Sequence, residues 1–212
     1  MMQGLYVITD GSTGETLFSK VEQALGGGAT IVQYRDKTTD QARREQEAAA
    51  LRSLCHAHHA LFIINDDVAL AQAVQADGVH VGRDDAVVSA AREVLGNTAI
   101  IGVSCYNQLQ LALNAAEQGA DYIAFGSFFP SSTKPNAPHA TLELLCQARQ
   151  QLALPICAIG GISLENAPNL LVNGADMLAV IADVFNSPDI AHQASRYQAL
   201  FLESRAAFPP HH

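Results

Sequence analysis

The sequence predicts an α/β protein that folds as a single (β/α)8 TIM barrel. Three observations support this prediction: short apolar runs recur eight times, helix-like stretches separate them, and no Pro/Gly/Ser-rich linker divides the chain. Strands that alternate with helices are typical of a parallel sheet, and eight such units match a closed barrel. An open doubly wound sheet is the alternative, and it would leave the outer strands less uniformly apolar.

The predicted strands are mostly apolar throughout rather than alternating between apolar and polar residues. Such runs are typical of parallel strands that are covered on both faces. In chain order they are LYVITD (5–10), TIVQYRD (30–36), LFIIND (61–66), GVHVG (78–82), AIIGVS (99–104), YIAFGS (122–127), PICAIGG (155–161) and MLAVIAD (177–183).

The segments between the strands predict amphipathic helices that end in glycine turns. In 39–59 and 107–118, Ala and Leu recur at spacings of three and four among Gln, Glu and Arg. Glycine, or an Ala-Asp-Gly turn, then precedes the next strand in LGGGAT (25–30), VQADGV (74–79), EQGADY (117–122) and VNGADM (172–177). Glycine adopts the left-handed conformation at a helix end without strain, so the chain can reverse into the sheet.

Composition indicates one domain over residues 1–212, with a disordered tail from about residue 207 to 212. The net charge of −9 argues against nucleic acid as a partner. The sequence contains no uninterrupted run of about 18 apolar residues, which a membrane-spanning helix would require. Four dispersed cysteines, without metal-binding spacing, indicate reduced thiols in a cytoplasmic protein. The sequence leaves the oligomeric state open, a homo-oligomer included.

Hydrogen-bond donors occupy every second position at the end of the second predicted strand. Gln33, Arg35 and Lys37 share this spacing, although only 12 of 212 residues are basic. Side chains two residues apart project to one face of a strand, and barrel active sites form at the carboxyl ends of the strands. We therefore expect a row of donors for an anionic ligand at the barrel mouth. The alternative is an ion pair with Asp36 or Asp66 that only completes the strand.

Paired aspartates follow the third and fourth predicted strands, in IINDD and VGRDD. Converging carboxylates raise one another's pKa unless a divalent ion holds them, and oxygen ligands favour Mg²⁺. Asp66 and Asp85 are the predicted ligands, and a substrate diphosphate would complete the coordination. Because a helix follows each pair, either aspartate of a pair could instead be a helix N-cap.

A second anion site is predicted from AIGGIS (158–163), from the end of the eighth strand and from SSTK (131–134). Glycine-rich backbone beside helix N-termini forms the usual phosphate site of this architecture. Two histidine features predict structural roles: HAHH (56–59) is expected to be a solvated helix end, and His80 a hydrogen-bonded core residue.

At these residues the chain resembles the thiamine-phosphate synthase family. The resemblance extends from YVITD through QYRDK, GVHVGRDD, FGSFFPSSTK and AIGGI to AVIADVF, which is nearly the whole chain. It differs from the family pattern at two points: Ser131-Ser132-Thr133 replaces Thr-x-Thr, and Ala182 replaces Ser. The first change keeps a hydroxyl group, and the second leaves only the backbone N–H.

The resemblance implies roles for particular residues. It assigns the pyrimidine diphosphate to Gln33, Arg35, Lys37, Asn65, Ser104 and Lys134 with the backbone of Tyr34 and Asp36; Mg²⁺ to Asp66 and Asp85; and the thiazole phosphate to Ser131, Ser132, Thr133, Gly161 and the backbone of Ile181 and Ala182. Arg35, Lys37, Ser104 and Lys134 would be the catalytic residues.

The activity that the resemblance implies is that of a transferase. It would condense hydroxymethylpyrimidine diphosphate with hydroxyethylthiazole phosphate, or its carboxylated form, to thiamine phosphate and pyrophosphate by a dissociative, Mg²⁺-assisted mechanism. One alternative is a thiazole tautomerase-like barrel protein, which would be expected to have a histidine after the fifth strand, where this chain has Tyr106. The other is a non-catalytic sensor of a phosphate ligand.

Overall fold

Eight parallel strands close into one barrel in the order β1 to β8. The computed structural model describes residues 2–82, 86–130 and 139–207. The strands are β1 Gly4–Ile8, β2 Ile31–Tyr34, β3 Leu61–Asn65, β4 Gly78–Val81, β5 Ile100–Tyr106, β6 Tyr122–Phe125, β7 Ile156–Ile159 and β8 Met177–Val180. All eight predicted strands are confirmed, and the pairing of β1 with β8 excludes the open sheet.

Helices surround the barrel on the outside. In chain order they are α1 Gly14–Gly26, α2 Gln41–Ala57, α3 Val68–Ala73, α4 Ala86–Leu95, α5 Leu109–Glu117, α6 Leu142–Gln151, α7 Ala167–Val172, α8 Ala182–Phe185 and α9 Ile190–Ala207. Helix α9 packs against α1 and β1, which completes the outer layer. Of the predicted tail, Ala207 belongs to α9 and 208–212 lie outside the described residues. No helix within the described ranges combines the length and apolarity that a membrane span requires.

The apolar residues form two layers, which explains why the strands are apolar on both faces. Leu5 and Val7 of β1 belong to the outer layer between strands and helices. Tyr6 and Ile8 of the same strand belong to a smaller cluster inside the barrel. Successive side chains of a strand point to opposite faces, so neither face of β1 is left for solvent.

Three aspartates in the turns before alternate strands stabilise the amino-terminal end of the barrel. The carboxylates of Asp77, Asp121 and Asp176 accept the backbone N–H of Phe62, Ile101 and Ile156 at 2.7 to 2.8 Å. Each also pairs with a basic side chain of an earlier helix: His56, Arg92 and Arg149, respectively. These three turn aspartates precede β4, β6 and β8, and each binds the strand just before its own.

The corresponding position before β2 is Thr30, whose hydroxyl donates to the carbonyl of Gln3 at 2.8 Å. Each of the two-strand units β1–β2, β3–β4, β5–β6 and β7–β8 is therefore joined by one polar side chain at its amino-terminal end, in addition to the backbone pairing around the whole barrel. The GAD sequences before β6 and β8 are the sequence signature of this arrangement.

The glycine-turn prediction is confirmed at three of its four positions. Gly28, Gly119 and Gly174 have φ angles of 99°, 88° and 108°. After α3 the left-handed residue is Gln75, with φ 54°, and not the glycine of the Ala-Asp-Gly turn. Gly78 has a different role, because a Cβ there would overlap the carbonyl of Ile100 on the adjacent strand.

The cysteines and the histidine cluster have the structural roles that were predicted. All four cysteines are free thiols, and burial raises the pKa of Cys55 and Cys105 to about 12. The HAHH sequence lies at the carboxyl end of α2, where His56 contacts Asp77 at 3.0 Å. This end is opposite the barrel mouth.

Candidate active site

A cavity opens at the carboxyl end of the barrel, and all eight strands or the residues just after them line it. Seven residues predicted to bind substrate share this cavity: Gln33, Arg35, Asn65, Ser104, Gly161, Ile181 and Ala182. Those assigned to the pyrimidine diphosphate come from β2, β3 and β5 and the residues after them, and those assigned to the thiazole phosphate follow β7 and β8. The two predicted half-sites therefore face one common space.

The spacing of two predicted the positions of Gln33 and Arg35. Gln33 is buried inside the barrel, and its side-chain amide donates to the Tyr6 hydroxyl at 2.7 Å. Arg35 follows the end of β2, and its backbone N–H donates to Thr9 Oγ1 at 2.9 Å. Thr9 thus holds the Arg35 backbone next to β1, so that the guanidinium group projects from a fixed position.

Lys37 does not continue this row. Strand β2 ends at Tyr34, so the alternation has no strand to follow at residue 37. Lys37 is exposed and is not among the cavity-lining residues. Its assignment as a ligand of the diphosphate stays a prediction, and it would require the ligand or the loop to cover that position.

The side chains of Tyr34 and Asp36 point away from the cavity toward α2. The Tyr34 hydroxyl donates to the buried Glu47 at 2.7 Å, and Asp36 pairs with Arg43 at 2.7 Å. Burial opposes ionisation of Asp36, but hydrogen bonds from Thr38 and the charge of Arg43 outweigh it and lower the pKa of the carboxyl group. Only the backbone of Tyr34 and Asp36 is available to a ligand, which is the role that the resemblance implied.

The alternative interpretation of Arg35 and Lys37 was an ion pair that completes the strand. The partner of Asp36 is Arg43, and neither Arg35 nor Lys37 forms a salt bridge within the described part of the chain. Their charge is therefore not used by a described acidic side chain. This observation favours an anionic ligand.

The two consecutive aspartates after β3 have different roles. Asp67 is the N-cap of α3, where its carboxylate accepts the N–H of Leu70 at 2.9 Å, and it pairs with Arg44. Asp66 is exposed, has φ 61° and accepts a hydrogen bond from the Asn65 amide at 2.8 Å. Asp67 thus takes the capping role that the sequence left open, and Asp66 is the aspartate available to a metal ion.

Asp85, the second predicted metal ligand, lies outside the described residues, as do Ser131, Ser132, Thr133 and Lys134. Their assignments stay predictions. The described part of the chain contains no cluster of three or more His, Cys, Asp or Glu residues suited to a metal ion. A site built on two carboxylates and a substrate diphosphate does not require such a cluster.

The predicted phosphate corner has a backbone that only glycine can supply. Gly160 and Gly161 have φ angles of 102° and 60°, and a Cβ at Gly161 would lie 2.8 Å from the carbonyl oxygen of Phe129. Close packing between this turn and the segment after β6 therefore excludes a side chain. Beside it, Ala182 begins α8, and the first N–H groups of a helix have no partner within it.

His80 is hydrogen-bonded, as predicted, but it is not an ordinary core residue. It lies on β4 and lines the cavity. Its ring nitrogens lie 2.9 Å from the Tyr122 hydroxyl and 2.9 Å from Ser104 Oγ. Tyr6 also lines the cavity and was not singled out from the sequence. Both have a polar group at an inward-facing position of a strand, and this signal could have identified them.

Tyr106 lies where a thiazole tautomerase-like protein would be expected to have a histidine. A register irregularity between Ser104 and Tyr106 interrupts the pairing of β5 with β6, and Tyr106 has φ 53°. The altered backbone places Tyr106 in the cavity lining. The position therefore carries a phenol and not an imidazole.

Comparison with known proteins identifies the family of this chain. Residues 5–184 match the family model described as thiamine monophosphate synthase. The chain is 52% identical over 202 residues to a thiamine-phosphate synthase of Thioalkalivibrio sulfidiphilus, covering 94% of this chain and 96% of the relative. It is 53% identical over 201 residues to one from Azoarcus sp. (strain BH72), covering 94% of this chain and 98% of the relative.

Among solved structures, a thiamine phosphate pyrophosphorylase from Pyrococcus furiosus superimposes with a TM-score of 0.86 at 36% identity, covering 95% of this chain and 96% of that one. The chain belongs to the thiamine monophosphate synthase family and is a barrel transferase.

Proposed function

We propose that this protein condenses hydroxymethylpyrimidine diphosphate with hydroxyethylthiazole phosphate, or its carboxylated form, to give thiamine phosphate and pyrophosphate. The observation that carries the proposal is the common cavity. Gln33, Arg35, Asn65 and Ser104 line one part of it, and Gly161, Ile181 and Ala182 line another. A reaction that joins two anionic substrates requires two such sites within bonding distance of each other.

The chemistry that the site supports is displacement at the pyrimidine methylene carbon. Its bond to the diphosphate oxygen breaks, and the electron pair leaves with pyrophosphate. The thiazole nitrogen then forms the new carbon–nitrogen bond to the methylene group. Electron release from the aminopyrimidine ring stabilises the intervening cation, so no nucleophile from the protein is needed.

The residues of the chain assist this step in two ways. Arg35, with Lys37 and Lys134, would stabilise the charge that accumulates on the departing pyrophosphate. Apolar side chains such as Ile8, Ile159 and Ile162 line the cavity and would keep water from the cation before the thiazole captures it.

Mg²⁺ is part of the proposal. Asp66 and Asp85 would hold it, and it would neutralise charge on the diphosphate. Support comes from Asp66, whose carboxylate is not used to cap α3 because Asp67 does so. A cytoplasmic location is also proposed, on the basis of the dispersed cysteines and the composition.

Pyrophosphate release tests the proposal directly. The purified protein with both substrates and Mg²⁺ should release pyrophosphate and form thiamine phosphate in equal amounts. EDTA should stop the reaction, and excess Mg²⁺ should restore it. Neither substrate alone should react.

Other outcomes would support different functions. Isomerisation of the carboxylated thiazole phosphate alone would indicate the tautomerase-like activity. Binding of either phosphate substrate without product would indicate a sensor. Each of these results would contradict the proposed condensation.

A further inference from the structure

Five side chains from five different strands form a continuous hydrogen-bonded chain across the barrel interior. The Gln33 amide bonds to the Tyr6 hydroxyl at 2.7 Å, and the Tyr6 and Tyr122 hydroxyls are 2.9 Å apart. The chain continues from Tyr122 to His80 Nδ1 at 2.9 Å and from His80 Nε2 to Ser104 Oγ at 2.9 Å. Gln33 and Ser104, at the two ends, are both proposed to bind the pyrimidine substrate. The three inner residues, Tyr6, Tyr122 and His80, are not assigned to either substrate.

The inner residues are held rigidly. Tyr6 and Tyr122 are 1% and 0% exposed, and their rings meet edge to face with centroids 6.1 Å apart. The His80 ring stacks on Tyr122 with a centroid distance of 5.6 Å. Close packing therefore restricts rotation of these rings, so their polar atoms stay directed at the same hydrogen-bond partners.

The donors in this series of hydrogen bonds all point the same way, and the Gln33 amide sets that direction. An amide nitrogen only donates, so the Tyr6 oxygen accepts from Gln33. The arrangement in which each hydroxyl accepts once and donates once then directs the Tyr6 hydrogen to Tyr122 and the Tyr122 hydrogen to His80 Nδ1. Burial raises the pKa of both phenols, so each keeps the one hydrogen that this sequence of bonds requires.

The direction fixes the state of His80. A neutral imidazole that accepts at Nδ1 has its hydrogen on Nε2. That hydrogen is donated to Ser104 Oγ, so the Ser104 hydroxyl hydrogen remains available to donate into the cavity. At the other end, Gln33 retains its carbonyl oxygen and a second N–H for a ligand.

We infer that Tyr6, Tyr122 and His80 are positioning residues that couple the orientation of the Gln33 amide to that of the Ser104 hydroxyl, so that the donors and acceptors at the two ends are matched. The inference rests on the proposed function only for the ligand that the two ends would bind. Two residues on separate strands, β2 and β5, thereby present one matched pattern of donors and acceptors. A ligand that fits this pattern would be bound without reorganisation of either side chain.

The tautomer of His80 tests the inference without substrate. In protein labelled with ¹⁵N-histidine, the His80 ring signals are assigned by their loss in His80→Gln and measured at the pH of the assay. We expect a neutral ring with its hydrogen on Nε2. Tyr122→Phe removes the donor to Nδ1 and should shift the His80 signals. Tyr197→Phe is the control: it removes the hydroxyl of another buried tyrosine that is not one of the five hydrogen-bonded residues, and it should leave the His80 signals unchanged.

Kinetics provides the second measurement. Tyr122→Phe should raise KM for hydroxymethylpyrimidine diphosphate about tenfold, which is the scale of one misdirected hydrogen bond, and leave KM for the thiazole phosphate unchanged. If that variant does not fold, Tyr6→Phe tests the same link and should have the same effect. A purely structural role would instead lower the thermal stability and alter both KM values.

The inference is overturned by a charged ring, by a hydrogen on Nδ1, or by His80 signals that Tyr122→Phe leaves unchanged. An unchanged KM in a folded Tyr122→Phe or Tyr6→Phe protein would also overturn it. If the unmodified protein releases no pyrophosphate, the proposed function fails. The His80 signals would then decide alone whether the hydrogen bonds run from Gln33 to Ser104 as inferred.

Discussion

Arg35 contributes a positive charge to the cavity that no described acidic side chain neutralises. Within the described residues it is the one Arg or Lys that lines the cavity, and Thr9 fixes its backbone. Charge that develops on a departing pyrophosphate is stabilised most by groups that are already in place. Arg35 is therefore the described residue from which we expect the largest loss of activity.

We predict that Arg35→Ala lowers kcat/KM for the pyrimidine substrate on the order of a hundredfold, equivalent to about 3 kcal/mol of barrier. Arg52→Ala is the matched control, because Arg52 lies on α2 and bonds to the Gln75 carbonyl away from the cavity. Steady-state kinetics and thermal unfolding should be measured for both variants. Equal activities of the two variants would remove Arg35 from the catalytic residues.

At the scale of single elements, the start of α3 gives different roles to two aspartates that are adjacent in the sequence. Asp67 caps the helix and pairs with Arg44, whereas Asp66 does neither. One residue should therefore affect mainly stability and the other mainly metal dependence. Substituting each in turn distinguishes these roles.

We predict that Asp67→Ala lowers the free energy of unfolding by about 1–2 kcal/mol, because it removes the N-cap and an ion pair. Asp66→Asn should leave unfolding nearly unchanged and raise the Mg²⁺ concentration needed for half-maximal activity. Urea unfolding and Mg²⁺ titrations of both variants provide the measurements. An unchanged Mg²⁺ requirement in Asp66→Asn would exclude Asp66 as a ligand.

The strands could be predicted from the sequence because burial on both faces gives an unmistakable pattern. The role of each polar residue at the strand ends could be predicted less well. From the sequence either Asp66 or Asp67 could cap α3, and only the structure shows that Asp67 accepts the Leu70 N–H. The spacing of two extends to Arg35, one residue beyond β2, but not to Lys37, three residues beyond it, where the chain has left the strand.

The chain of hydrogen bonds below the cavity could not be predicted, since its members are far apart in sequence. Tyr6 and Tyr122 are separated by 116 positions. They meet because strands on opposite sides of a closed barrel direct side chains to one centre. A polar group within a strand could mark Tyr6 or His80 singly, but not which residues each would meet.

At the scale of the whole molecule, stability should depend on pH through Asp36. Its pKa is lower in the folded protein than its ordinary value of 3.8, so folding favours the ionised form. This contribution to stability is fully present above pH 3.8 and is lost as the pH falls through the folded-state pKa.

We predict that Asp36→Asn unfolds at a lower temperature than the unmodified protein near neutral pH. The difference between the two should shrink as the solution is acidified below pH 3.8. Melting temperatures recorded across this range provide the test. A difference that is independent of pH would show that the Asp36 charge does not contribute.

The polar links at the amino-terminal end of the barrel have a consequence for how such a chain can diversify. All four links lie at the amino-terminal end, so the loops that directly follow the strands carry none of them. Those loops are at the substrate-facing end. Lengthening a loop costs little, about 0.6 kcal/mol per doubling. Insertions there could reshape specificity while the opposite end continues to hold the barrel closed.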